Sequence, residues 1–372
     1  MKIPPFKVEE WMNEYEMEAE YNIAETCVES LTVEELLELS GEAEEKINRI
    51  KEMKLTYGHI TGSPEFKKEV STLYQTLNED NILATHGAIG ANFLAIYSLV
   101  ESTDNVVSVF PTYQQLYSIP ASFGAEVRRL NLKYKDGFMP DLNEIKSLVD
   151  ENTKLIAINN PNNPSGALMR EDVLKEVVEI ARSVDAYLLS DEVYRGLYQE
   201  DIEVSSAADL YEKAVSIGSM SKVFSLAGLR MGWIAAGKDV IELCQQHRDY
   251  TEISIGMIDD YLSVIALKNR DKIFARNTEK IRTQLELLDS WVKNEELIDY
   301  VKPQAGTTAF LKYNLDIGSE ELCRRLFAEK GVLAVPGSAF GRDGFFRVGF
   351  AGNKDELVKG LQLLKELLYE LA

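Results

Sequence analysis

Lys222 is the residue whose type and position most clearly predict chemistry. It ends the segment Ser219-Met-Ser-Lys222, directly after the apolar run Ala214–Ile217, so a buried strand would hold its amine at the edge of a sheet. Arg230 follows in the same segment, and its permanently charged guanidinium suits a phosphate, while Ser219 and Ser221 add hydroxyl donors. An amine beside a phosphate-binding turn predicts a Schiff base with the aldehyde of pyridoxal phosphate. Burial next to Arg230 is expected to lower the pKa of the Lys222 amine and make it a nucleophile.

A serine-lysine pair by itself is more often a strand cap with no chemistry, so the prediction depends on the rest of the cofactor site. Asp191 follows the apolar run Ala186–Ser190 and provides the carboxylate that would keep the ring nitrogen of the cofactor protonated. Asn163 and Tyr194 are neutral donors for its phenolic oxygen. Taken singly, the aspartate is more typical of a helix cap or loop, and the asparagine of a plain turn.

Three further binding needs of the cofactor and its substrate have candidate residues: the phosphate, the face of the ring and the α-carboxylate. The backbone N–H groups of Gly87-Ala88-Ile89, where an apolar helix begins, suit a phosphate, and Tyr57 could reach the same phosphate from a partner subunit. Tyr113 could lie on the face of the ring, although most tyrosines are packing residues. Arg347 could grip the α-carboxylate of an amino acid at two points, with a surface arginine as the alternative.

These candidates follow a repeating pattern of apolar runs and helical stretches, which predicts an α/β fold with a mainly parallel sheet covered by helices on both faces. Polar or glycine-rich loops follow the runs, so ligands are expected beyond the carboxyl ends of the strands. We predict a large cofactor-binding domain over residues 46–274. Residues 275–372 are expected to form a smaller α+β domain together with an N-terminal helical segment over residues 1–45. The seven runs are Ile82–Ala84, Val106–Phe110, Val127–Leu132, Leu155–Ile158, Tyr187–Leu189, Val215–Ile217 and Trp233–Ala236.

The composition excludes several other functions. With 40 basic and 61 acidic residues among 372, the net charge is −21, so a nucleic acid would be repelled by the average surface. The three cysteines and three histidines are scattered and have no metal-ligand spacing, so no metal site is predicted. The start of the chain has no secretory apolar core, and no apolar run reaches membrane-spanning length. We therefore expect a cytoplasmic protein with no membrane contact.

The order and spacing of these motifs resemble the fold-type I pyridoxal-phosphate aminotransferases of class I/II, the group related to aspartate aminotransferase. The resemblance implies Lys222 as the Schiff-base lysine and proton shuttle, Asp191 on the ring nitrogen, and Arg347 on the substrate carboxylate. It also implies a homodimer with Tyr57 reaching the partner's phosphate. The matching motifs are Tyr57-Gly58, Gly87-Ala88, Pro111-Thr-Tyr113, Asn160-Pro-Asn-Asn-Pro-Ser-Gly166, Asp191-Glu-Val-Tyr194, Ser219-Met-Ser-Lys222 with Arg230, and Phe346-Arg347-Val-Gly349.

The N-terminal segment resembles a particular branch, which contains capreomycidine synthase and arginine oxidases. In that branch the segment covers the site and its acidic groups contact a guanidinium. The resemblance implies that Glu20, and less directly Glu25, bind substrate here. The alternative is a solvated acidic helix face.

The function predicted first is transamination between an L-amino acid and a 2-oxo acid. The alternatives within the same apparatus are non-transaminating reactions on a basic amino acid, namely cyclisation or oxygen-dependent oxidation, and C–S bond elimination. Which bond breaks depends on the pose of the substrate, which the sequence leaves open. A non-catalytic sensor would need a DNA-binding helix-turn-helix and a basic face, and the acidic composition argues against it.

Overall fold

The structure is a computed structural model and describes residues 2–372. Within these residues the helices are α1 (Lys7–Tyr15), α2 (Val33–Leu39), α3 (Ala43–Glu52), α4 (Pro64–Ser71), α5 (Gly87–Leu99), α6 (Gln115–Phe123), α7 (Leu142–Leu148), α8 (Glu171–Ser183), α9 (Ala207–Leu210), α10 (Lys238–Arg248), α11 (Met257–Lys268), α12 (Arg270–Lys293), α13 (Ser319–Lys330) and α14 (Lys354–Leu371). The strands are β1 (Tyr21–Asn22), β2 (Ile82–His86), β3 (Asn105–Phe110), β4 (Glu126–Asn131), β5 (Thr153–Asn159), β6 (Tyr187–Asp191), β7 (Ala214–Ser219), β8 (Met231–Ala236), β9 (Ile298–Tyr300), β10 (Thr308–Tyr313), β11 (Val332–Leu333), β12 (Val335–Pro336) and β13 (Phe345–Gly349).

The central element is a seven-stranded sheet in the order β2-β8-β7-β6-β5-β3-β4. Strand β8 is antiparallel to both of its neighbours, and the pairs from β7 to β4 are parallel. Each of the seven predicted apolar runs forms one of these strands, and the predicted mainly parallel sheet is confirmed.

Alternate residues of the strands enter two separate cores, one on each face of this sheet. In β5, Ile156 and Ile158 belong to one core, while Leu155 and Ala157 belong to the other. Burial on both faces explains why the strands are continuous apolar runs. The sheet is therefore a rigid platform with helices on both sides, as predicted.

The carboxyl ends of β2, β5, β6 and β7 meet at one edge of the sheet, because these strands run in the same direction. Strand β2 leads directly into α5 at Gly87, and β6 ends at Asp191. Strand β7 ends at Ser219, three residues before Lys222. Residues far apart in sequence are thus brought to one place.

The rest of the chain forms a second region built on a four-stranded antiparallel sheet, β12-β13-β10-β9. The short β1 pairs with β11 in parallel, which ties the N-terminal segment to this region. The domain division at residues 45/46 and 274/275 stays a prediction. Its second boundary lies inside α12, which continues unbroken from Arg270 to Lys293.

The N-terminal helices follow their local signals. Thr32 and Glu35 form a capping box at the start of α2, because each side chain accepts a backbone N–H of the other residue. Helix α1 is fixed by Trp11, whose Nε1 donates to the Ala334 carbonyl at 2.9 Å.

Across residues 2–372, every helix is either too short or too polar to cross a membrane.

Candidate active site

A cavity of about 330 Å³ lies at the carboxyl edge of the seven-stranded sheet, between this sheet, α1 and β13. Most of the site residues predicted from the sequence line it. They are Glu25, Ala88, Ile89, Tyr113, Asn163, Asp191, Tyr194, Ser219, Ser221, Lys222, Arg230 and Arg347. The predicted Gly87, Tyr57 and Glu20 are outside the cavity lining of this chain.

The Lys222 amine faces an N-terminal loop. Its Nζ donates to Thr26 Oγ1 at 2.6 Å and to Cys27 Sγ at 3.2 Å. Burial by itself lowers the pKa of this amine, but the nearby Cys27, Tyr194 and Glu25 side chains outweigh burial and raise the pKa above its ordinary value. The prediction of a lowered pKa was therefore wrong for the free amine.

Asp191 lies at the floor of the cavity and is almost fully buried. Its Oδ2 accepts from Asn92 Nδ2 at 2.8 Å, and its Oδ1 accepts from the Val193 N–H at 3.3 Å. Burial raises the pKa of Asp191 to about 6, although these two donors act in the opposite direction. Asn92 was missed by the sequence analysis because its position inside α5 carried no motif; only the direction of that helix brings it to Asp191.

Arg347 is buried, and within residues 2–372 no carboxylate forms an ion pair with its guanidinium. Its NH2 group donates to the Ala24 carbonyl at 3.0 Å, and its NH1 group donates to Asn163 Oδ1 at 3.3 Å. Within residues 2–372, its Nε has no hydrogen-bond partner. Burial lowers the pKa of Arg347. A buried guanidinium with a free donor beside a cavity is suited to bind an anion that enters it.

The part of the cavity near Arg230 and the start of α5 has donors for a second anion. Helix α5 starts at Gly87, so its first-turn N–H groups lack intrahelical partners. Gly87 has a φ of 67°, and a Cβ there would lie 2.9 Å from Arg230 NH2, so the glycine lets the guanidinium approach the turn. Ser219 Oγ accepts from the Ser221 N–H at 3.0 Å and also lines the cavity. Gly87 thus shapes this end without lining it.

Helix α1 and the segment before it cover the cavity. Tyr113 donates its hydroxyl to Glu9 Oε1 at 3.0 Å, and its ring packs on Phe6 with centroids 4.8 Å apart. The cavity is also lined by Met12 and Glu16 of this segment. The N-terminal segment therefore covers the site, as the resemblance implied.

The acidic residues that reach the cavity differ in part from those expected. Glu20 is exposed and packs near Gly331 next to the β1–β11 pair, outside the cavity lining of this chain, and its role as a substrate contact stays a prediction. Glu25 lines the cavity as predicted, with Oε1 accepting from the Thr26 and Cys27 N–H groups at 2.7 and 2.8 Å. Glu9 and Glu16 also line it, although no sequence signal distinguished them from the exposed glutamates around them.

The donor set fits pyridoxal phosphate. An amine, a buried carboxylate and a phosphate-binding turn lie around one cavity, and close backbone approach is built in at Gly232, where a Cβ would lie 2.4 Å from the Gly87 carbonyl carbon. A family model for aminotransferases of class I and II matches residues 29–362. The chain belongs to this aminotransferase family.

Several relatives extend the match over nearly the whole chain. A pyridoxal-phosphate-dependent aminotransferase structure from Streptococcus suis superposes with a TM-score of 0.97 at 45% identity, covering 100% of this chain and 99% of that chain. Capreomycidine synthase of Streptomyces vinaceus is 28% identical over 367 residues, 98% of this chain and 94% of the relative. Aspartate aminotransferase of Thermotoga maritima is 29% identical over 308 residues, 82% of this chain and 78% of the relative. The protein is thus a pyridoxal-phosphate-dependent enzyme of the aminotransferase family with its fold-type I architecture.

Tyr57 occupies a position in this aminotransferase-family chain that a single subunit leaves unexplained. It is 69% exposed in the loop between α3 and α4 and does not line the cavity of its own chain. A second subunit would be needed to bring it to a phosphate. Its predicted role across a dimer interface stays a prediction.

Proposed function

We propose that the protein transfers an amino group from an L-amino acid to a 2-oxo acid. The observation that carries the proposal is that Lys222, the buried Asp191 and the buried Arg347 line one cavity. These residues match three chemical groups: Lys222 the cofactor aldehyde, Asp191 the ring nitrogen, and Arg347 the α-carboxylate of the amino acid. Relatives with the name aspartate aminotransferase support the same reaction.

In the proposed arrangement the cofactor supplies an electron sink for the negative charge that develops at the α-carbon. Lys222 would bind its aldehyde, and the Asp191 carboxylate would keep its ring nitrogen protonated. The other residues would orient it: Tyr113 against the ring; Asn163 and Tyr194 at the phenolic oxygen; Ala88, Ile89, Ser219, Ser221 and Arg230 at the phosphate.

The remaining steps belong to the chain's own side chains. Arg347 would hold the α-carboxylate, which fixes the α-hydrogen relative to the Lys222 Nζ. The Nζ would then take the α-proton as general base and, as general acid, return it to the carbon that came from the cofactor aldehyde. Helix α1 would keep bulk water from the cavity during the transfer, because Glu9 and Phe6 hold the helix against Tyr113.

The test of transamination is to supply the purified enzyme with pyridoxal phosphate, a panel of L-amino acids and a 2-oxo acid, and to measure the new amino acid together with oxygen uptake. A new amino acid formed in equal amount to the substrate consumed, with no oxygen used, is expected. Oxygen consumption or ammonia release without amino transfer would contradict the proposal.

Replacing Arg347 with lysine is expected to raise KM for the amino acid by about 100-fold, since the planar two-point grip on a carboxylate is lost while the positive charge is kept. The change in kcat should be smaller than the change in KM. Steady-state kinetics with the preferred amino acid measures both. As the control, Arg342→Lys changes an arginine outside the cavity, whose NH2 group donates to Asn131 Oδ1 at 3.0 Å, and should leave KM unchanged.

A second candidate is a reaction other than transamination on an amino acid with a cationic side chain. Glu9 and Glu16 line the cavity, and the pKa of Glu16 is raised by burial and by the neighbouring Glu25 and Glu9 carboxylates. A bound cation would relieve this repulsion. The match to capreomycidine synthase favours cyclisation within this class, while oxidation and C–S elimination stay alternatives.

For this candidate, Glu16→Gln is expected to weaken the binding of L-arginine about tenfold and to leave the binding of L-alanine unchanged, because one charge partner of about 1–2 kcal/mol is removed. Spectroscopic titration of the cofactor-loaded enzyme measures both affinities. Glu14→Gln, an exposed position on α1, is the matched control and should change neither. Equal weakening for both amino acids would contradict a cationic side-chain site.

We further propose a homodimer with shared active sites, in which Tyr57 contacts the partner's phosphate. Its test is to mix Tyr57→Ala and Lys222→Ala subunits, each inactive or impaired alone. A hybrid with one intact site should regain part of the activity. Light scattering should give the mass of two chains, and a monomer with full activity would contradict the proposal. The cytoplasmic location stays a prediction from the sequence.

A further inference from the structure

We propose that Thr26 and Cys27 are positioning residues that hold the Lys222 amine whenever it is not joined to the cofactor, with Glu25 as the counter-ion. The inference rests on the proposed function of Lys222 and adds residues that no motif of the sequence singled out for this purpose. The contacts are direct: Nζ lies 2.6 Å from Thr26 Oγ1 and 3.2 Å from Cys27 Sγ. Both partners lie more than 190 residues from Lys222 in sequence.

The loop that carries these two residues is held firmly from the other side of the cavity. Thr307 Oγ1 donates to the Thr26 carbonyl at 2.6 Å, and Arg347 NH2 donates to the Ala24 carbonyl at 3.0 Å. A Cβ at Gly349 would lie 1.7 Å from the Glu25 carbonyl oxygen, so the loop lies directly against β13 and requires glycine there. Thr26 is therefore a fixed point toward which the flexible lysine side chain is directed.

The charges around the amine identify its counter-ion. Burial raises the pKa of both the Cys27 thiol and the Tyr194 phenol, so near pH 7 these two groups are neutral and their charges act on the amine only at higher pH. The pKa of Glu25 is lowered despite its burial, with the Lys222 charge as the largest lowering cause. Glu25 is then the ionised neighbour that favours a charged Lys222.

Other titratable groups also face the cavity. Glu16 and Asp191 both feel the Lys222 charge, but burial raises the pKa of each of them. Arg230 and Arg347 are cations that would oppose a charged amine. The three-residue loop Glu25–Cys27 is the part of the lining that both touches Nζ and carries a compensating charge.

This arrangement has a role in turnover. An Nζ set free by a substrate amine would have to be neutral and near the α-carbon to take a proton, and Glu25 would stabilise the ammonium that forms. Thr26 Oγ1 limits where that nitrogen can go, and a displacement of about 1 Å at a reacting centre can cost up to about 100-fold in rate. Holding the released amine in place is thus a positioning function.

The first experiment measures the amine without any catalysis. Cofactor-free enzyme is labelled with trace acetic anhydride between pH 7 and 12, and the labelling of Lys222 is compared with that of exposed lysines by peptide mass spectrometry. Glu25→Gln is expected to increase the labelling of Lys222 at pH 9 about tenfold, since an opposite charge nearby raises an amine pKa by one unit or more. Glu18→Gln, an exposed change in the same segment, should have no effect.

The second experiment measures positioning in the loaded enzyme. Thr26→Val should lower kcat about tenfold with little change in KM, and should increase the kinetic isotope effect for α-deuterated substrate. Thr26→Ser, which keeps the hydroxyl, should restore kcat to within about threefold. Cys27→Ala is expected to have a smaller effect, because a thiol is a weak hydrogen-bond partner.

These measurements separate failure of the inference from failure of the proposed function. Unchanged Lys222 labelling in Glu25→Gln, or equal kcat in Thr26→Val and Thr26→Ser, would overturn the inference while amino transfer continued. Absence of amino transfer in the unmodified enzyme would overturn the proposed function instead. The melting temperature and cofactor affinity of each variant report separately on whether it folds.

Discussion

The Lys222→Ala variant is expected to lose amino transfer by a factor of at least about 1,000. General acid–base catalysis alone contributes about 100- to 10,000-fold, and this amine is proposed both to bind the cofactor aldehyde and to move the α-proton. No other lysine lines the cavity within residues 2–372. The measurement is kcat/KM for the preferred amino acid, together with the visible absorbance of the cofactor-loaded protein.

The matched variant is Lys222→Arg, which keeps a positive charge opposite Glu25 and a donor toward Thr26 but has no amine for an aldehyde. It should be as inactive as Lys222→Ala while retaining more thermal stability. Borohydride reduction followed by peptide mass spectrometry should place the cofactor on residue 222 of the unmodified enzyme. A label on another lysine, or full activity in Lys222→Arg, would contradict the assignment.

The central sheet could be predicted from the sequence because its signals are local. Each strand is an apolar, β-branched run, since burial on both faces of a parallel sheet leaves no polar side. Asp191 and Lys222 could be singled out because they directly follow such runs, and strand ends in α/β sheets are where ligands bind. Burial in the parallel sheet explains both the apolar pattern of each strand and the position of the residue that follows it.

The cover of the site could not be predicted in the same way. Glu9 reaches Tyr113 across 104 positions of sequence, and only the packing of α1 on the second region places it there. Nothing in the local pattern separates Glu9 or Glu16 from Glu20, which is exposed. Resemblance indicated a cover but pointed to Glu20 and not to Glu9 or Glu16, because the orientation of a short acidic helix is set by tertiary contacts such as Trp11 to Ala334.

The prediction of the Lys222 amine pKa failed for a related reason. The prediction considered Arg230, a neighbour in sequence, whereas the groups that raise the amine pKa include Glu25 and Cys27 from the N-terminal loop. A pKa depends on every charge within several ångströms, and most of those charges belong to other segments. Chemistry that depends on one segment is therefore more readily predicted than chemistry that depends on several.

The Asp191→Asn variant is expected to gain stability and lose activity, and the two effects have the same cause. The carboxyl has a pKa of about 6 against an ordinary value of 3.8, because its burial disfavours the charged form. The folded cofactor-free protein then binds more protons than the unfolded chain between these values, so its stability falls as the pH rises from about 4 to 6. Above pH 6 the cost is up to about 3 kcal/mol, at 1.36 kcal/mol for each pKa unit.

Asparagine removes this cost, so the cofactor-free variant should be more stable than the unmodified protein at pH 7.5 and equally stable below about pH 4. Chemical denaturation at the two pH values measures the difference. Asp150→Asn is a control of opposite sign: the Arg128 guanidinium lowers the pKa of the exposed Asp150 to about 2, so its loss should reduce stability at neutral pH. If Asp191→Asn and Asp150→Asn changed the free energy of unfolding at pH 7.5 in the same direction, the buried Asp191 charge would not be destabilising.

The same substitution should reduce kcat for amino transfer on the order of 100- to 1,000-fold, the range seen when one group that stabilises transition-state charge is removed. A neutral asparagine can accept a hydrogen bond from a ring nitrogen, but it cannot balance the positive charge that the proposed electron sink requires. The buried Asp191 charge destabilises the cofactor-free fold because its proposed partner, the protonated ring nitrogen, is present only when the cofactor is bound. Cofactor should therefore stabilise the unmodified enzyme more than the Asp191→Asn variant, and thermal melting with and without pyridoxal phosphate measures that difference.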